Sequence, residues 1–363
     1  MNPRKTLLAD CPTSVIRILL AGLLLLMLLG TTTKPIHHVP LSAGQNADIA
    51  LWQGVVDRMR QGQPYYDAME ANLRAAKNYP MRPFWSFRLP ILAPFMALFK
   101  TNLVPRIILT VLAGLMVLFW TRLLKAEGWL CATVGVLLLS FSVVCAVAPA
   151  ATVMHDLWAG ILIALSIALY GQNRPASLIC GLIALSLRIH VVAFVGVMGI
   201  FALLERRWRE ALIWSVGLVA FGLYVSVHAW IVSRHLNEAD LAASWMGVGA
   251  WGFVMATTTW TLPGLLDARI LSGPLLPVSL LSLAVWPSPS GRRAAGTMLA
   301  YICAFMIMGN PGNDYWGLLY SPLWAVGVAY SPVMFRDLIK RARPCAFGKR
   351  VEGERRSVSD ELF

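Results

Sequence analysis

Asp48, His155, Asp156, Arg188 and His190 are ionisable side chains at the ends of, or inside, long apolar runs. Charges in such surroundings are costly to desolvate, so each marks a binding site, a proton or ion path, or a paired structural charge. Asp48 opens a stretch, Asp48 to Met59, with apolar residues at helical spacing. A carboxylate there can cap the helix or act as a general base. His155 and Asp156 begin another apolar run, where a His-Asp pair can complement the helix dipole or bind a substrate hydroxyl, a proton or a divalent metal. Arg188 interrupts the run Leu182 to Val197, and its guanidinium needs either an acidic partner, Asp156 or Asp48, or an anionic ligand.

Arg88, Arg234 and His190 are further cations near the same apolar boundaries, and Tyr65, Tyr66 and Asp314 add hydroxyls and a carboxylate. The chain has no P-loop, GxSxG, HExxH or dinucleotide fingerprint, so nucleotide hydrolysis, serine hydrolysis and zinc proteolysis lack motif support. Any chemistry has to come from acids, arginines and histidines.

The elements that must position these groups are apolar. Of 363 residues 58% are hydrophobic and 13% charged, and the mean hydropathy is +0.64, leaving too little polar surface to cover a soluble globule. The pattern predicts an all-α polytopic membrane protein with about ten transmembrane helices. They are placed near 15–33, 104–124, 130–148, 153–171, 175–188, 190–204, 210–233, 266–286, 294–309 and 315–334, residues 1–334 forming a single domain. Splitting 175–204 at Arg188 is what keeps the later loops on consistent sides. The formal charge of +13 sits in short basic clusters between apolar runs and in the tail, which reads as a topology signal and not as a nucleic-acid surface.

With a cytoplasmic N-terminus, Arg122/Lys125, Arg174, Glu205 to Arg209, Arg292/Arg293 and a basic, disordered tail 335–363 all face the cytoplasm, as the positive-inside rule requires. The opposite side receives the long segment 34–103, the 149–152 turn, the Arg188–His190 junction, the 234–265 loop and the 310–314 turn. In the long segment, Asp48 to Met59 is expected to lie as an amphipathic helix along the membrane surface, Gly62-Gln63-Pro64 breaks it, and 89–99 is an apolar stretch too short to span.

Asp48, the amphipathic segment ending in Gly62-Gln63-Pro64-Tyr65-Tyr66, and Phe87-Arg88-Leu89-Pro90 before the second helix resemble the first outer loop of GT-C glycosyltransferases. These are polytopic enzymes that use polyprenyl-phosphate sugars. The resemblance covers roughly residues 15–334 by layout and is closest to the compact mannosyl- and arabinosyltransferase-like branches. It implies Asp48 as the catalytic carboxylate, Asp156 as the second acidic position, and Leu187-Arg188 with the basic Glu205-to-Glu210 turn as the middle section. The family's acidic pair in the first loop is here Asp48 alone, with Asp57 about two and a half turns on.

The implied activity is inverting sugar transfer from a polyprenyl-phosphate donor to a lipid or glycan acceptor, on the periplasmic or extracellular face of an inner (plasma) membrane. Asp48 would be the base and Arg188, Arg88, Arg234 and His190 the donor-phosphate ligands. His155, Asp156, Tyr65, Tyr66 and Asp314 would form the acceptor or substrate side. The resemblance fixes no cofactor; the family includes metal-assisted members, which leaves His155/Asp156 open as a divalent-metal or an acceptor site. The alternatives are a polytopic transporter or lipid flippase, against which the absence of an internal repeat counts, and a non-catalytic subunit of envelope-glycan assembly.

Overall fold

A computed structural model of the chain describes residues 6–33, 41–76, 79–242, 247–261, 268–309 and 312–342, and among them the protein is all-helical. In chain order the α-helices are α1 Thr13–Thr32, α2 Leu41–Arg60, α3 Tyr65–Ala75, α4 Leu92–Ala97, α5 Leu103–Lys125, α6 Trp129–Ser142 and α7 His155–Leu169. They continue as α8 Arg174–Leu187, α9 Val192–Leu204, α10 Trp208–Ser233, α11 Ala250–Thr257, α12 Ala268–Val285, α13 Pro289–Met308 and α14 Ser321–Ala342. Short 3-10 turns join several of them, notably Ile189–Val191 and Asp314–Leu319.

The local chemistry explains most of the breaks. Gly62 takes a left-handed φ of 95° and Pro64 caps α3, ending α2 where the Gly-Gln-Pro triplet stands. Asn173 caps α8 by accepting from the Ala176 amide at 3.1 Å, with Pro175 in the first turn. The junction at Arg188 is extended backbone (φ −148°, ψ 128°), so α8 and α9 are separate helices, as the charge pattern requires.

α7 lies at the centre, with every residue from His155 to Leu169 buried. It packs against α5, α8, α13 and α14, and Trp120 of α5 donates to the Ala164 carbonyl at 3.0 Å. Leu51, Trp52, Val55 and Val56 form the buried face of α2. They share a core with Met69 and Leu73 of α3 and with Leu92 and Met96 of α4. The amphipathic face expected on the membrane surface is therefore covered by the protein's own helices.

Three helices are long and apolar enough to cross a membrane: α1, α5 and α10, with mean hydropathies of 2.3, 2.2 and 1.8. Their apolar residues largely face outward. On α10, Leu212, Val216, Val219, Leu223, Val227 and Trp230 form an exposed stripe at helical spacing. These candidate spans point to a membrane protein.

The expectation of about ten spans is not met. α6, α7, α8 and the stretch Ile189–Leu204 are 10–17 residues long, about 15–26 Å at 1.5 Å per residue against a hydrocarbon core of about 30 Å. The physical reason differs by segment. The apolar run 130–148 breaks at Val143 into α6 and 3-10 turns, while the apolarity of α7 serves internal packing. α12 carries Pro274 and Pro277. α13 and α14 have the length, 20 and 22 residues, but hold Arg292 and Arg293, and Arg336, Asp337, Lys340 and Arg341. α14 also runs past the expected start of the tail to Ala342, where Asp337 accepts from Thr6; residues 343–363 lie outside the described residues, as does Trp245 of the outer loop.

Candidate functional site

Asp156 is the buried hub. It sits in the first turn of α7, where the helix N-terminus favours a carboxylate. Arg188, projecting from the break between α8 and α9, donates through Nε to Asp156 Oδ1 at 2.9 Å. Arg88, just before α4, places Nη1 3.7 Å from Asp156 Oδ2. Two guanidiniums, each 8% exposed, thus share one carboxylate.

The remaining contacts of Arg88 hold it in place without neutralising it. Nη2 donates to the Tyr315 hydroxyl at 2.9 Å, and the guanidinium lies over the Trp52 ring, 4.7 Å from its centroid. The Tyr65 hydroxyl donates to the Arg88 carbonyl and so fixes its backbone. Nη1 is buried without a hydrogen bond among the described residues.

Tyr315 is delivered by the Asp314–Leu319 turn, which presses on α7 at Gly160. A Cβ at Gly160 would lie 2.0 Å from the Leu318 carbonyl oxygen, so only glycine permits this approach one turn beyond Asp156.

Two adjoining cavities meet at Arg88 and Tyr315. The smaller, about 50 Å³, is lined by Asp48, Trp52, Arg88, His155, Asp156 and Tyr315, and has room for a water or a hydroxyl. The larger, about 510 Å³, is walled by Tyr79, Trp85, Tyr301, Tyr315 and Trp316. Arg88, Arg188 and His190 lie at its polar end, and Ile189, Val192, Phe305 and Met308 make it otherwise apolar. That size and composition suit an amphiphilic ligand.

Asp48, half-buried on α2, faces Arg88 across the smaller cavity. Burial pushes its carboxyl above the ordinary carboxylate range, and Arg88 pulls it part of the way back. His155 Nδ1 donates to the Val153 carbonyl at 3.2 Å, which leaves Nε2 as a buried acceptor with no partner among the described residues. His190 rests on Trp316, ring centroids 4.2 Å apart, with Nδ1 buried and equally unpartnered.

Six expected site residues are thus gathered: Asp48, Arg88, His155, Asp156, Arg188 and His190. Others stand apart. Arg234 is exposed and lies over the Trp230 ring at 3.7 Å, because α10 carries it beyond the cavity. Tyr66 is turned to His228 Nδ1, 3.1 Å away, and stacks on His235, in a network that continues through Glu70 and Arg74 to Asp240. Tyr65 serves the backbone of Arg88, not the cavity. Asp314 is buried at the start of the turn that carries Tyr315 and lines neither cavity. Asp57 pairs with Arg60 at 2.9 Å, on a different face of α2 from Asp48.

Tyr79, Tyr301, Tyr315 and Trp316 were not singled out from sequence as site residues. The aromatics of the last turn read as interfacial anchors, and Tyr301 is one polar atom within an apolar run. No three His, Cys, Asp or Glu side chains gather into a possible metal site among the described residues. No family model, curated protein or solved structure matches the chain.

Proposed function

We propose that the protein is a membrane glycosyltransferase that moves a sugar from a polyprenyl-phosphate donor to a lipid or glycan acceptor, with a GT-C-like arrangement and an active face on the outer side of a plasma membrane. The observation that carries this reading is the junction at Arg88. There, two guanidiniums share one carboxylate, with a second carboxylate across a water-sized cavity and a larger apolar, aromatic-walled cavity alongside.

Each part has a role in such a transfer. Asp48 removes the proton from the acceptor hydroxyl as its oxygen attacks the anomeric carbon. The bond from that carbon to the phosphate oxygen breaks, its electron pair leaves with the phosphate, and the configuration inverts. The leaving phosphodiester becomes a monoester and gains negative charge, which Arg88 and Arg188 meet from fixed positions. His155 Nε2 can accept from a sugar or acceptor hydroxyl. The aromatic walls offer faces to the sugar ring, and the Ile189–Met308 side takes the start of the prenyl chain.

The test is transfer from a panel of radiolabelled polyprenyl-phosphate sugars in membranes holding the wild-type protein or Asp48→Asn. Loss of a general base predicts a fall of at least about 100-fold at normal insertion levels. Equal transfer by both proteins, or none by either from any donor, removes the catalytic reading. Movement of the intact donor across proteoliposomes would indicate a flippase instead.

A further inference from the structure

A second polar cluster lies at the far end of α7. Asp156 and Tyr170 are separated by roughly 21 Å of helix, and Tyr170 is surrounded by arginines: Arg293 at 3.6 Å from its ring centroid, Arg174 at 5.7 Å and Arg207 at 5.8 Å. The carboxylates here are already engaged. Glu205 takes Arg293 in a two-point contact, Nη1–Oε1 3.0 Å and Nη2–Oε2 2.8 Å, and is also ion-paired with Arg207, whose Nε lies 3.0 Å from Oε2. Glu210 accepts from the Tyr170 hydroxyl at 3.0 Å and lies 3.9 Å from Arg207.

Beside this cluster is an open pocket of about 500 Å³, lined by Arg174, Arg206, Arg207, Arg209 and Glu210, with Leu178, Trp208 and Ile213 as its apolar side. Arg174, Arg206 and Arg209 are exposed, and their side chains make no hydrogen bond or ion pair among the described residues. Arg206 holds a left-handed φ of 56°, a conformation uncommon for a side chain of this size, in the tight link that turns α9 into α10. Three arginines whose side chains meet no carboxylate, beside the already paired Arg207, make a site for a phosphate.

The apolar side decides which phosphate. Trp208, 66% exposed, begins α10, and Leu212, Val216 and Val219 continue outward from it along a candidate membrane span. A soluble anion has no use for that surface. An acyl chain running down α10 covers it while its headgroup sits among the arginines. We propose that this pocket binds the phosphate of an anionic phospholipid headgroup from the leaflet opposite the Asp48 site. The basic loops expected in the cytoplasm place that leaflet on the cytoplasmic side. The inference is independent of the sugar-transfer reading, and its test does not use activity.

The full-length protein in detergent is titrated with dioleoyl phosphatidylglycerol or dioleoyl phosphatidylcholine, and bound lipid is read by native mass spectrometry. The wild-type protein should prefer phosphatidylglycerol by about tenfold, and the exposed double variant Arg206→Gln/Arg209→Gln should lose most of that preference. Arg206→Lys/Arg209→Lys should keep it in part. Arg174→Gln, outside the α9–α10 link, gives a separate single-site reading in the same direction. No preference in the wild-type protein, or an unchanged preference in both Gln variants, overturns the site. Displacement of the lipid by inorganic phosphate would mean that the arginines bind a free anion and would overturn the lipid assignment.

Discussion

At the residue scale, the electrostatics turn on Arg88. Asp156 balances one of the two guanidiniums, so Asp48 supplies the second negative charge only when it ionises. Burial favours the neutral acid and Arg88 the carboxylate. A base must be deprotonated, so the acid limb of kcat/KM should lie above the ordinary carboxylate range. Arg88→Gln removes the charge that lowers the Asp48 pKa and should move that limb to still higher pH in the residual activity. A limb that stays in place would detach Asp48 from Arg88. Asp156 makes the complementary case: Asp156→Ala leaves Arg188 without its acidic partner and Arg88 with only Asp48 as a counter-charge, and should cost about 3–5 kcal/mol, measured as a lower unfolding temperature in detergent, with Asp156→Asn recovering part of the loss through hydrogen bonding. The sequence made this pairing legible, because a guanidinium inside an apolar run demands an acid. It gave no sign that Arg88 shares the same acid, since nothing in Phe87-Arg88-Leu89-Pro90 indicates which side of the loop faces inward.

At the element scale, the site depends on how closely the Asp314–Leu319 turn approaches α7. Gly160 sets that distance. Gly160→Ala places a methyl group against the Leu318 carbonyl and should push the turn, with Tyr315, away from Arg88. The expected cost is about 1–3 kcal/mol of stability, together with weaker donor binding read as a raised KM. Gly171→Ala, at a position with open space around it, is the control and should do neither. Equal behaviour of the two variants would show that the turn is not held through Gly160. Helix positions were largely legible: apolar runs bounded by Pro, Gly and Arg fixed α1, α5, α8, α9 and α10 to within a few residues. Contacts between elements were not, because a glycine that permits close approach looks the same in sequence as one in open space. The partners of α2 were likewise hidden, since an amphipathic face reads the same whether lipid or protein covers it.

At the scale of the whole molecule, polar chemistry is divided between two ends. Arg88, Asp156, Arg188, His190 and Tyr315 meet at one, and Tyr170, Glu205, Arg207 and Arg293 at the other. The loop charges predict such a division, although the number of spans they were read with does not hold. A span needs length as well as apolarity, and the buried helix α7, at 15 residues, does not have it. The division predicts opposite exposure across the bilayer. In a variant with its six cysteines replaced, a single cysteine at Leu98, 78% exposed at the end of α4 and just ahead of α5, should react with a membrane-impermeant maleimide on intact cells. A cysteine at Lys125, the last residue at the other end of the candidate span α5, should react only after permeabilisation. Gln172→Cys, exposed next to the Tyr170 cluster, should behave like Lys125→Cys, and Asn237→Cys, beyond the end of α10, like Leu98→Cys. Labelling of position 98 and position 125 from the same side would mean that α5 does not cross, and labelling of 172 together with 98 would place the arginine pocket on the face of the Asp48 site. Either result would dismantle the two-sided arrangement on which both the outer active face and the opposite lipid site depend.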